Sequence, residues 1–181
     1  MKTLKLLAAA FLAAFMQPFR TANAEGAGGT RTILSRRADA AHSYTHLLVT
    51  GGSDAGHVAV CGAANYPVGL TTDMPSAAED LINVTPLQLS TSTRKVRVAS
   101  ALGADIDLYT AASGFAQAEP GTAGSFFKIG RSVSAAVQNS DGGYVIEFAP
   151  QAPIKLVVAA TPSTVGNIAA ALASPTLVKF L

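Results

Sequence analysis

At 181 residues the chain is long enough to bury one real core with tails to spare and too short for two large ones. Only 13% of the residues are charged, tryptophan is absent, and the 49% apolar fraction leans on alanine. So charge-poor a surface fits either a protein covered by its neighbours or a β-domain built from small residues. The formal charge of +2 is unevenly spread: residues 1–46 carry six Lys/Arg against Glu25 and Asp39, and residues 47–181 carry seven against nine acids. The basic character therefore lies in the N-terminal segment, and the rest of the chain lacks the basic, aromatic-studded face that nucleic-acid binding needs.

Residues 1–24 have the make-up of a secretory signal. Lys2 and Lys5 form a basic start, Leu6 to Met16 an apolar run, and Ala22-Asn23-Ala24 a small-x-small cleavage site. The run covers only about half a bilayer core, so it is no stable membrane span. Two readings stand: a cleaved signal peptide, or an apolar arm, ended by Pro18, that packs on a partner subunit. Glu25 to Thr30 is a Gly-rich joint. Arg31, Arg36 and Arg37 follow as a basic run suited to phosphates, to an acidic protein face or to solvent. Residues 1–43 are thus expected to be a signal-like segment or arm.

From Tyr44 the chain reads as short strands separated by turns. Leu47 to Thr50, a Gly/Ser/Asp turn, Gly56 and His57 to Val60 form one unit. Asp107 to Thr110, a shorter turn, Gly114 and Phe115 to Ala118 match it, and Ile129-Gly130-Arg131 answers Val68-Gly69-Leu70. The pattern is a degenerate two-fold repeat of β units. Gly69 and Gly130 are its matched structural glycines, expected where the strands turn or approach closely. Lys95 to Ala99 alternates with Val96 and Val98 on one face, the clearest amphipathic strand. Turn signals at Glu119-Pro120-Gly121-Thr122 and Asn139 to Gly143 bracket a long strand from Phe126 and a closing strand from Tyr144 to Phe148. The expected fold is all-β: a small β-barrel or sandwich over residues 44–153, built from the two repeats, with an N-terminal arm. Beyond Pro153, residues 154–181 read as a C-terminal extension: one more strand, a short helix from Val165 to Ala173 with capping residues before it, and an apolar end suited to docking on the body or a neighbour. Leu177 and Phe180 are its contact candidates.

Groups that could carry catalysis are thin. His42 and His46 have a metal-compatible spacing only on a helix, and no Glu or Cys nearby completes a ligand set. The segment from Gly51 to Gly56 lacks the lysine of a phosphate loop and the final glycine of a nucleophile elbow, and a turn accounts for it. Glu79 and Asp80 are adjacent and point apart. Cys61, the single cysteine, rules out an internal disulfide and sits in an apolar strand as a small hydrophobe. Arg94, Lys95 and Arg97 are the only basic cluster in the β region. No enzyme activity, cofactor or metal is expected.

The order of motifs A-D-A-A-H-S-Y-T-H-L-L-V-T-G-G-S-D-A-G-H-V-A-V-C-G-A-A-N-Y-P-V-G-L-T-T-D, P-S-A-A-E-D-L-I-N-V, K-V-R-V-A-S, L-Y-T-A-A-S-G-F-A-Q-A-E-P, T-A-G-S-F-F-K-I-G-R-S-V-S-A-A and G-Y-V-I-E-F resembles the tailed-phage capsid decoration, or cement, proteins over about residues 38–150. The resemblance is carried by alanine, glycine and valine spacing. It implies a small β-barrel or sandwich that binds the outside of an assembled capsid and stabilises it. The partner would then be the major capsid protein, the protein a homo-oligomer, a trimer among the options, and the location the virion surface after assembly in the host cytoplasm. A signal-like N-terminus departs from that pattern. If residues 1–24 are removed near Ala24, a secreted or periplasmic β-domain that binds surface polymers becomes the better account.

Overall fold

A computed structural model describes residues 33–88, 92–159 and 176–180. The signal-like segment, Arg31 and the expected helix from Val165 to Ala173 lie outside these. The described chain is all-β. Strands β1 (Leu34–Ala38), β2 (Leu47–Gly51), β3 (His57–Val60), β4 (Gly69–Thr71) and β5 (Leu81–Pro86) form a closed barrel in the order β1-β3-β2-β4-β5. Then come β6 (Arg94–Val98), β7 (Asp107–Thr110), a 3-10 turn at Ala112–Gly114, β8 (Ala116–Gln117), β9 (Gly124–Ser132), β10 (Val137–Gln138), β11 (Tyr144–Ala159) and β12 (Thr176–Phe180). In this second sheet β11, β6, β8, β7 and β9 follow one another, and β9 returns to pair with β11, so it closes as well. β10 and β12 attach to β11 from outside that ring.

The two rings are copies in register as well as in strand order. Leu34 faces Val84 as Arg94 faces Phe148, and Ala38 lies beside Val58 as Val98 lies beside Ala116. Val49 faces Gly69 as Leu108 faces Gly130, and Gly69 faces Pro86 as Gly130 faces Pro150. Even the strained entry to the second strand recurs. His46 (φ +60°) donates its N–H to the Thr71 carbonyl, and Asp105 (φ +63°) donates to that of Ser132. The match corrects the sequence alignment by one residue, because Val49 rather than Leu48 is the counterpart of Leu108. Side chains on a strand alternate faces, so a one-residue slip exchanges inside for outside; the shared threonines at 50 and 110 favour the slipped alignment.

Two expected boundaries move. β1 lies inside the presumed arm of residues 1–43, yet it closes the first barrel between β3 and β5. The body does not end at residue 153 either, because β11 runs on through Pro150 and Pro153 and pairs with β9 as far as Val158. The chain accommodates both prolines by placing Pro150 opposite a glycine and by shifting register between Pro150 and Ile154.

Gly69 opens β4 and Gly130 lies within β9, both in paired strand rather than in a turn, and the reason for each is the same close approach. A Cβ on Gly69 would fall 2.6 Å from the Thr85 carbonyl oxygen, and one on Gly130 2.2 Å from that of Ala149. Each carbonyl belongs to the residue before the facing proline. Gly69→Val is therefore expected to lower stability by at least about 1 kcal/mol, and Gly130→Val likewise. Gly121→Ala, where a Cβ meets nothing within 4 Å, is expected to melt with the wild type. Equal melting of all three variants would remove the packing argument.

One core cluster spans the two barrels. Leu48, Cys61, Leu70 and Leu87 of the first half pack in a single cluster with Val96, Leu108, Ile129, Ile146 and Phe148 of the second. The 3-10 turn seals the junction: the Gly114 N–H reaches the Cys61 carbonyl at 2.7 Å, and a Cβ there would meet the Leu48 carbonyl at 2.8 Å. In the second barrel the positions that answer Leu48 and Leu70 are the facing pair Asp107 and Arg131. Arg131 bonds Asp105 at 2.8 Å and approaches Asp107 at 3.5 Å, while Lys128 holds Asp107 at 2.6 Å. A face that is greasy in the first copy is thus charged and solvated in the second. The double variant Asp107→Leu/Arg131→Leu is expected to form larger, concentration-dependent species in sedimentation velocity, whereas sedimentation unchanged from the wild type would show that this face cannot act as the first barrel's does.

Candidate functional site

Of the residues picked out by sequence, Arg36 and Arg37 sit on β1 and not on a flexible arm. Arg36 bonds the neighbouring Ser35 carbonyl. Arg37 stands on the outer face, with its guanidinium 3.0 Å from the Glu79 carbonyl and 3.6 Å from its carboxylate. Its cross-strand neighbour is Leu81, 70% exposed, and the β1–β5 face continues through the Ser35–Asn83 pair towards Ile33, 56% exposed. The face is therefore a strip of apolar and small polar side chains beside one cation, lying where residues 1–32 join the barrel. Leu177 and Phe180 belong to β12, which runs parallel to the Lys155–Ala159 end of β11. This end of the chain docks on the body as a strand, and the Lys179 ammonium is 2.9 Å from Glu119.

The chemistry-bearing residues are spent on local structure. Asp39 accepts from the Ser53 N–H and hydroxyl at 2.8 and 3.1 Å, which organises the turn after β2. Glu79, at φ +70°, pairs with the His57 Nε2 at 3.0 Å on one side and with Arg37 on the other. Asp80 turns away to cap Ser76 and Ala77, whose hydrogen bonds hold its carboxyl below the usual range. Cys61 is fully buried, and that burial pushes its thiol up to about 12, so no thiolate forms near neutral pH. His42 and His46 serve different surroundings: His42 lines a small apolar cavity in the first barrel with Val49 and Ile82, and His46 faces the junction. Among the described residues no three His, Cys, Asp or Glu side chains gather where they could hold a metal ion, and no helix is long and apolar enough to cross a membrane.

The basic cluster at 94–97 is split by the strand's own alternation. Arg94 shares the inner side of β6 with Val96 and Val98, and Lys95 and Arg97 lie on the other. Arg97 is 3% exposed: its guanidinium lies 4.0 Å over the Tyr44 ring and bonds Asp141 at 2.8 Å. Gly143 makes room for it, since a Cβ there would fall 1.9 Å from the Arg97 Nη2. The Gly143 N–H and Arg97 together hold Asp141 below the ordinary carboxylate range. Sequence reasoning missed this clamp, because β6–β11 pairing brings Arg97 to Asp141 and only the junction adds Tyr44; the D-G-G turn is its one local signal. Beside it a groove runs across the junction as two adjoining clefts of about 300 and 270 Å³ that share His46, Lys95 and Glu147.

Comparison with protein-family models and with curated proteins finds no match to this chain.

Burial lowers the pKa of His42, and burial together with the nearby Lys95 and Arg97 lowers that of His46. Between these depressed values and the ordinary histidine pKa the unfolded chain binds protons that the folded chain does not. Their stabilisation is therefore complete above the ordinary value and is lost as pH falls through the folded ones. Melting temperature is expected to fall between pH 7 and pH 5, above the carboxylate window. His46→Asn, which tolerates the positive φ, should flatten that slope, and a slope identical to the wild type would exclude His46 as its source.

Proposed function

We propose that the protein is a structural, non-enzymatic virion component that binds the outer surface of an assembled tailed-phage capsid and stabilises it. The observation that carries this reading is the β1–β5 face, where Leu81 and Ile33 stand exposed beside Arg37 at the point where residues 1–32 join the barrel. Such a strip adds buried area between capsomers without a deep pocket. The resemblance to decoration proteins supports the same reading: it spans residues 38–150, from the last residue of β1 to the Pro150 of β11. The partner is the major capsid protein, and the protein acts as a homo-oligomer on the particle, without cofactor, nucleic acid or stable membrane insertion. A second reading, an exported β-domain that binds surface polymers, draws on the Lys2, Lys5, Leu6–Met16 and Ala22-Asn23-Ala24 pattern.

The test is co-sedimentation with empty expanded capsids at low and high salt. A deletion must stop short of β1, because residues 34–38 close the first barrel. Full-length protein is expected to bind. Removal of residues 1–30 and the variant Leu81→Asp should each weaken binding by roughly tenfold, about 1.4 kcal/mol. Added salt should weaken whatever part the arginines supply. Full-length protein that does not bind, and is recovered from the periplasm processed at Ala24, would replace this reading with the exported one.

A further inference from the structure

The junction groove holds positive charge that the described residues leave unneutralised. Arg94 opens β6 with its Nε buried, and among the described residues the Nε has no hydrogen-bond acceptor and no carboxylate pairs with the guanidinium. A buried donor left unmade carries a desolvation penalty, so its persistence calls for an acceptor. Lys95 follows on the rim, exposed and likewise without an ion pair among the described residues. The one acid here is Glu147, the ladder partner of Lys95, whose carboxylate accepts the Thr93 hydroxyl. Two cations against one carboxylate leave a single net positive charge, and the depressed pKa of His46 keeps that ring neutral near pH 7. Leu70 supplies an apolar wall.

We propose that this groove is a carboxylate site that receives an Asp or Glu side chain of a protein partner. The inference deepens the docking reading and rests on it for the partner, while the site itself follows from the groove. An arginine can meet a carboxylate through two parallel N–H donors, a fork that an ammonium lacks, and Arg94 lines the cleft together with Lys95. A phosphate dianion would exceed the net charge of the groove and would face Glu147. The two clefts share His46, Lys95 and Glu147 in their lining, which gives room for the side chain of a longer segment more than for a small isolated acid.

The test is an NMR titration of the full chain that follows the Arg94 Nε–H signal and the Thr93 and Lys95 amides. The probes are acetyl-Ala-Glu-Ala-amide, its Gln counterpart and inorganic phosphate. The Glu peptide is expected to give saturable shifts, with the Gln peptide and phosphate at least about tenfold weaker. Arg94→Lys, which keeps the charge and loses the fork, and Lys95→Gln should each weaken the Glu peptide while the spectrum stays that of a folded protein. Absence of shifts at these signals, equal shifts from the Gln peptide, or phosphate binding as tight as the Glu peptide would each overturn the assignment. Capsid binding without any peptide shift would remove this site and leave the docking reading standing. Peptide binding without capsid binding would do the reverse.

Discussion

The contact on which the rest of this molecule depends is the apolar face of Leu48, Leu70, Cys61 and Leu87 pressed onto the second barrel. The first barrel alone encloses a cluster of only Ala38, Val49, Val58, Ile82 and Val84, a core of the size that rarely sustains an independent domain. Sharing a core with its copy overcomes that shortage. The same contact sets the functional geometry, because it brings His46 and Tyr44 from the first half over Arg94, Lys95 and Arg97 of the second. The stacking of Tyr44 on Arg97 and the groove beside it exist only at this junction.

Duplication explains both the likeness of the halves and their division of labour. Strand pairing is retained residue for residue, down to the glycine that faces a proline in each ring. What differs is the outer surface of the second and fourth strands: leucines where the first barrel must be covered, an Asp–Arg pair where the second must not. Closing both rings also removes the free strand edges that would invite unspecific pairing. The edge elements that remain, β10 and β12, hang on β11 alone.

The all-β character and the two-fold repeat were legible in the sequence because they rest on local signals: alternation, Gly/Pro turns, and glycines recurring at matched places. Val96 and Val98 read as one face and are one face. The slip between Leu48 and Leu108 was not legible, since only side-chain facing, fixed by pairing, separates two alignments one residue apart. Nor was the role of β1. Its sequence, Leu-Ser-Arg-Arg-Ala, reads as a basic run, and it becomes a strand because β3 and β5 supply partners on both sides. Pro150 and Pro153 look like a stop, yet a facing glycine and a register shift absorb them. The site was the least legible part, because the neighbours Arg94, Lys95 and Arg97 part company: Arg94 and Lys95 line one cleft, and tertiary packing alone joins Arg97 to Tyr44 and Asp141.

A decoration role asks for a compact body that presents one charge-poor strip to a large, repetitive surface, and the β1–β5 face with its apolar neighbours has that form. Arg37 there is already engaged by Glu79, so the affinity expected of the strip comes mainly from apolar burial and from residues 1–32. The most direct measurement is a cryo-electron-microscopy reconstruction of expanded, empty capsids incubated with the full-length protein. The account predicts paired barrels on the outer surface, with the strip of Ile33, Arg37 and Leu81 turned towards the shell; undecorated shells at saturating protein, or barrels that meet the shell by the Asp107–Arg131 face, would contradict it.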